Sequence, residues 1–190
     1  NRYEAEYGLP LDFFRGVNAT NPDDNAWARF ERAEIDPAGF DLAFAEDSKA
    51  LGYEVRGGHL LPLINGDLRP AMVRALETSK KAGLKNGLIT NNFRPNEPGE
   101  QQGVMSHMAR VMDMFDHVIE SSKAGVRKPD PRIYAMMCDA LSVSPAACVY
   151  LDDLGVNLKP ARAMGMTTIK VLNEAQALED FAKATGRVLS

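Results

Sequence analysis

Along the first 60 positions, apolar residues recur at helical spacing only. Asn21-Pro22 and Asp36-Pro37 each place an N-capping residue before a proline. Proline suits the first turn of a helix, because that turn has no acceptor for its N–H. After the first pair, Trp27 and Phe30 share a helical face; after the second, Phe40, Ala43, Phe44 and Leu51 do. "NRYE" has the spacing of a capping box, with Asn1 as cap and Glu4 at the third helical position. "RGGHLLPLINGDLRP" then reads as a connector rich in glycine and proline.

From about residue 66 the pattern alternates between two periods. "LRPAMVRALETSKKAG" predicts an amphipathic helix closed by Gly83, and "NGLIT" a short apolar strand. A polar loop over 94–103 precedes a Met-rich helix ending near Met114. "DHVIES", "CVYLDD" and "TTIKV" predict strands. "DPRIYAMMCDALSV", capped by Asp130 with Pro131 first, "NLKPARAMG" and "EAQALEDFAKATG" predict helices. Strands alternating with helices through short connections imply an α/β fold, a Rossmann-like parallel sheet with helices on both faces. Ligands of such sheets bind beyond the carboxyl ends of the strands, so chemistry is expected there.

Composition narrows the partners. The chain has 190 residues, 45% of them hydrophobic, and a formal net charge of −4. That balance argues against nucleic acid or an anionic membrane as principal partner, but not against a small anionic substrate in a locally positive site. No apolar run approaches the roughly 20 residues that span a bilayer. "NRYEAEYGLP" lacks the basic-then-apolar order of a signal peptide. Cys138 and Cys148 lie in apolar surroundings outside any CxxC and read as buried core residues. A reducing cytoplasmic setting is therefore expected. His59, His107 and His117 have no metal-ligand spacing.

Three signals stand at strand ends. Thr90, with Asn91 and Asn92 after it, offers a hydroxyl and backbone N–H groups suited to a phosphate oxygen. Lys128 precedes a proline that sets an extended turn, aiming one ammonium at the same edge. Asp152 and Asp153 are adjacent carboxylates, whose repulsion a cation would relieve. Neighbouring strand residues face opposite ways, so one direct ligand and one supporting carboxylate is the expectation. Oxygen donors without His or Cys nearby point to Mg²⁺. Each signal also has a plain structural reading: a turn with an Asn cap, a solvated lysine, a helix cap beside a surface aspartate.

The run "LITNNF … RKPDPRIY … VYLDDLGVNLKPARAMGMTTIKV" resembles the haloacid dehalogenase-like (HAD) hydrolase superfamily. In particular it is similar to the N-terminal phosphatase domains of soluble epoxide hydrolases and to the related domain of some acyl-CoA dehydrogenase-family proteins. The resemblance implies a small helical cap over residues 1–60 and an α/β core over 61–190. It also implies a Mg²⁺-dependent phosphohydrolase of small phosphorylated metabolites, working through an aspartyl-phosphate. Thr90 and Lys128 would be catalytic, Thr90, Asn91 and Lys128 would bind phosphate, and Asp153 with Asp152 would hold the metal. The family's first motif, an apolar strand ending in the nucleophilic Asp, has no match here, and the sequence is expected to open just after it. Without that residue the chain would be an inactive binding module. A 2-haloacid dehalogenase, which needs no metal, would leave the acidic pair without a task. Cap residues select the substrate; Trp27 reads as cap core, and Arg15 and Arg56 as solvated. An exposed cap or sheet edge would support a homodimer.

Overall fold

The computed structural model describes residues 2–64, 68–91 and 110–189. These fall into two compact units, 2–64 and 68–91 with 110–189.

The first unit is helical: α1 (Arg2–Glu6), α2 (Phe13–Ala19), α3 (Ala26–Glu31) and α4 (Pro37–Lys49), then two short 3-10 turns, Gly57–His59 and Leu61–Ile64. Its core is aromatic. Phe13, Phe30, Phe40 and Phe44 are buried with Val17, Val55 and Leu60, and Trp27 packs against them. Phe30 stacks on Phe40 with ring centroids 4.5 Å apart, and Trp27 lies 4.7 Å from Phe40. Gly57 is required by this packing, because a Cβ there would fall 2.9 Å from the Phe40 carbonyl oxygen. Asp36 caps α4 as expected, accepting from the Gly39 N–H, with Pro37 first in the helix. The Asn21-Pro22 start does not hold. Asn21 has φ +47°, incompatible with the extended backbone of an N-cap, and it opens a turn. The cap of α3 is Asn25, whose Oδ1 accepts from Ala28 N while its Nδ2 donates to the carbonyls of Asn18 and Thr20. Asn1 lies outside the described residues; the buried Glu4 accepts from the Phe14 N–H at 3.2 Å.

The second unit alternates helix and strand: α5 (Pro70–Lys81), β1 (Gly87–Thr90), β2 (His117–Glu120), α6 (Ser121–Ala124), α7 (Pro131–Leu141), β3 (Val149–Asp152), α8 (Gly155–Ala163), β4 (Thr167–Lys170) and α9 (Glu174–Thr185). Of the Met-rich helix, residues 110–112 are described and helical and 113–114 form a turn; the part before 110, with the 94–103 loop, Asn92 and His107, lies outside the described residues. The helix α8 begins at Gly155, two residues before the expected Asn157.

Among the described residues both strand pairs are parallel, β1 with β2 and β3 with β4. In place of one continuous sheet, the described strands form two ladders, with no pairing between β1 and β3. A shared core nevertheless joins them: Ile119 of β2, Ile133, Tyr134 and Met137 of α7, and Ala161 of α8 are buried together, with Ile89 of β1 and Tyr150 of β3 packed on them. Strand residues that a covered inner strand would bury are only half-buried on β1 and β3. Cys138 is buried in this core, but Cys148 is half-exposed, because it stands on the turn entering β3 and its thiol faces the Ser144 carbonyl. No helix among the described residues is long and apolar enough to cross a membrane.

Candidate active site at the strand ends

Thr90 is the last residue of β1, and Asn91 follows it directly. Asn91 clasps the backbone of Lys128: its Nδ2 donates to the Lys128 carbonyl at 3.0 Å and its Oδ1 accepts from the Lys128 N–H at 2.9 Å. A side-chain amide paired with both groups of one residue reproduces a strand-like bridge and fixes that residue's position. The turn that carries Lys128 is set by the Asp130 N–H donating to the Arg127 carbonyl, and its Lys128–Pro129 peptide is cis. Asp130 then caps α7 through the Arg132 N–H, with Pro131 first in the helix.

From that clasp the Lys128 side chain reaches the end of β3. Its Nζ donates to Asp152 Oδ2 at 2.8 Å, and the two side chains are only 14% and 4% exposed. Tyr150 Oη donates to the same oxygen at 2.6 Å. Oδ1 accepts from the Leu154 N–H at 2.8 Å and from Asn157 Nδ2 at 3.0 Å. Two donors on each oxygen fill the four lone-pair directions of a carboxylate. Burial alone would push the Asp152 carboxyl up; the Lys128 ammonium, with the Tyr150 hydroxyl and the Leu154 N–H, outweighs it and holds the carboxyl below its usual range. Burial and the bond to this carboxylate push the Tyr150 hydroxyl far up.

Asp153 differs from its neighbour in every respect. It is exposed and makes no hydrogen bond or ion pair among the described residues. The strand ends between the two aspartates, so their carboxylates are not held alike. Asp152 has no oxygen lone pair to spare, whereas Asp153 offers two free oxygens. No group of three or more His, Cys, Asp or Glu side chains that could hold a metal occurs among the described residues. A magnesium ion asks for less, since it commonly keeps several waters and takes one or two carboxylates.

The structure thus joins Asn91, Lys128 and Asp152 in one hydrogen-bonded chain across two ladders. Thr90 and Asp153 are sequence neighbours of that chain, but their side chains are not bonded into it. Lys123, a cation close by in sequence, pairs with Glu120 at 2.9 Å. In the helical unit, Arg56 pairs with Asp41, and Arg15 is exposed beside Asp12. Tyr150 and Asn157 do not stand out in the strand-end pattern. The available signal is spacing: Tyr150 is two residues before Asp152 and so on the same face of β3, and Asn157 falls in the first turn of the helix that follows.

Comparison with known proteins identifies the family. The family model described as a haloacid dehalogenase-like hydrolase matches residues 19–165. Bifunctional epoxide hydrolase 2 of Sus scrofa is 40% identical over 198 residues, covering 97% of this chain and 35% of that protein. The chain therefore spans about a third of the length of that relative. Phosphatase MT3486 of Mycobacterium tuberculosis is 34% identical over 117 residues, covering 62% of this chain and 50% of that protein. Among solved structures, a HAD family enzyme of Bacteroides thetaiotaomicron in complex with magnesium superposes with a TM-score of 0.57 at 18% identity, covering 93% of this chain and 88% of the other. At that identity the likeness concerns the fold. With the family model matching most of its length and a relative 40% identical over 97% of it, the chain belongs to the haloacid dehalogenase-like hydrolases.

Proposed function

We propose that the protein is a Mg²⁺-dependent phosphohydrolase of small phosphorylated metabolites that works through an aspartyl-phosphate. The observation that carries this reading is the delivery of the Lys128 ammonium to Asp152, at 2.8 Å, from a turn clasped by the residue after Thr90. A positioned, half-buried cation and a strand-end hydroxyl are what a transferring phosphoryl group needs, since its catalysis is chiefly positioning and charge stabilisation. A relative named as a phosphatase supports the same class.

In this reading an aspartate carboxylate attacks phosphorus in line, the ester P–O bond breaks and the alcohol leaves. Water then attacks the acyl phosphate, releasing inorganic phosphate and restoring the carboxylate. No described residue supplies that nucleophile. Thr90, with the Asn91 N–H, donates to one phosphoryl oxygen, and Lys128 offsets the charge on another. Asp153 would hold the magnesium ion, with Asp152 in support through the backbone they share. When bound, the ion neutralises charge on nucleophile and phosphoryl oxygens. Residues 1–60 are read as the helical cap of the family.

A second reading, a phosphate- or magnesium-binding module without turnover, is favoured by the lack of a nucleophile among the described residues. Hydrolysis of p-nitrophenyl phosphate by the full-length protein, in Mg²⁺ and in EDTA, separates the two. Metal-dependent release that Asp153→Asn lowers by at least about 100-fold is expected. Turnover that survives EDTA or Asp153→Asn would overturn the mechanism.

A further inference from the structure

Two side chains outside the family-like signals converge on Asp152. Tyr150 donates to its Oδ2 at 2.6 Å and Asn157 to its Oδ1 at 3.0 Å. Each is itself held. Tyr134 of α7 stands edge-on to the Tyr150 ring, with centroids 5.2 Å apart and planes at 90°. The Tyr134 hydroxyl donates to the Asn157 carbonyl at 2.7 Å. Tyr150, Asp152, Asn157 and Tyr134 therefore close a ring drawn from β3, α8 and α7. Tyr134 is fully buried and Asn157 is 4% exposed, so the Tyr134–Asn157 and Asn157–Asp152 bonds are shielded from water.

A carboxylate at a strand end can turn about two side-chain torsions. One donor per oxygen leaves it a range of orientations; a second donor on each removes most of that range. Because the Tyr150 hydroxyl and the Lys128 ammonium share Oδ2, the hydroxyl sets the lone pair that is left for the ammonium. An ammonium carries three donors, and Asp152 takes one of them, leaving the others for a substrate oxygen.

We infer that Tyr150 and Asn157 are positioning residues that act through Asp152, fixing where the Lys128 ammonium sits at the strand ends. Its kinetic consequence rests on the phosphohydrolase reading; the placement of Lys128 does not.

Tyr150→Phe removes one hydroxyl and keeps the ring against Tyr134. In p-nitrophenyl phosphate hydrolysis by the full-length protein, it is expected to lower kcat about tenfold, and to lower it no further in a Lys128→Met background. Independently of turnover, proton exchange of the Lys128 ammonium with water is followed in protein isotopically labelled at lysine Nζ. It should quicken about fivefold or more in Tyr150→Phe, while that of Lys85, bound to the Leu141 carbonyl, stays unchanged. Equal kinetic losses in both backgrounds, or unchanged Lys128 exchange, would overturn the assignment. Faster Lys128 exchange in a protein whose parent hydrolyses no ester would uphold the positioning role and reject the phosphohydrolase reading. Should Tyr150→Phe fail to fold, Asn157→Ala puts the same questions through Oδ1.

Discussion

Lys128 and Asp152 are 24 residues apart in sequence, yet their side chains meet at 2.8 Å with little access to water. The pair crosses from the turn between α6 and α7 to the end of β3, where no backbone pairing joins the two ladders. It therefore ties the halves of the α/β unit together at the carboxyl end of β3. A pair so enclosed is asymmetric in energy. Removing either partner leaves an uncompensated buried charge, whereas removing both costs less.

Lys128→Met is accordingly expected to cost about 3 kcal/mol in urea denaturation, with Asp152→Asn in the same chain restoring about half of it. Equal losses for the single and double variants would mean that Asp152 finds its balance elsewhere. Ester hydrolysis should fall by at least about 100-fold in both, because the ammonium is gone in both.

Asn91→Ala tests the clasp. Two hydrogen bonds to the Lys128 backbone disappear, which should cost about 1–2 kcal/mol. With Lys128 still present but no longer fixed, kcat/KM should fall by about tenfold, less than on losing the lysine itself. A fall as large as that of Lys128→Met would show that Asn91 also acts on the substrate directly.

Acid stability has a source at the start of α7. The Arg132 side chain, against the opposing effect of burial and with help from the Arg132 N–H, holds the Asp130 carboxyl below its usual range. A lowered carboxyl stabilises the fold fully above its unfolded value, about 4. That contribution is lost as pH falls through the lower folded value. Asp130→Asn retains a capping oxygen and should flatten this part of the pH profile of urea midpoints below about pH 4. The effect is modest, since the Arg132 side chain is 73% exposed. An unchanged profile would assign the acid sensitivity to other carboxylates.

What the sequence determined by itself is local. Proline after Asp36 and after Asp130 sets two helix starts, because fixed φ and a missing N–H act within one turn. Short apolar runs bounded by polar turns place β1 to β4 to within a residue or two. The order Thr90, Lys128, Asp152-Asp153 is likewise legible, since it needs only the strands and the family resemblance, though helix α6 stands between β2 and Lys128. Where two local signals compete, the sequence misleads: Asn21-Pro22 has the composition of a helix start, but the longer-range reach of Asn25 to Asn18 and Thr20 moves the start of α3. Only the tertiary structure decided how the strands pair, that Asp152 is buried and saturated while Asp153 is open, and that Tyr150 and Asn157 complete the carboxylate's shell. Those outcomes depend on backbone edges and donors brought together from α7, β3 and α8. Residue type and spacing fix which face a side chain takes along its own element; they do not fix which element arrives opposite it.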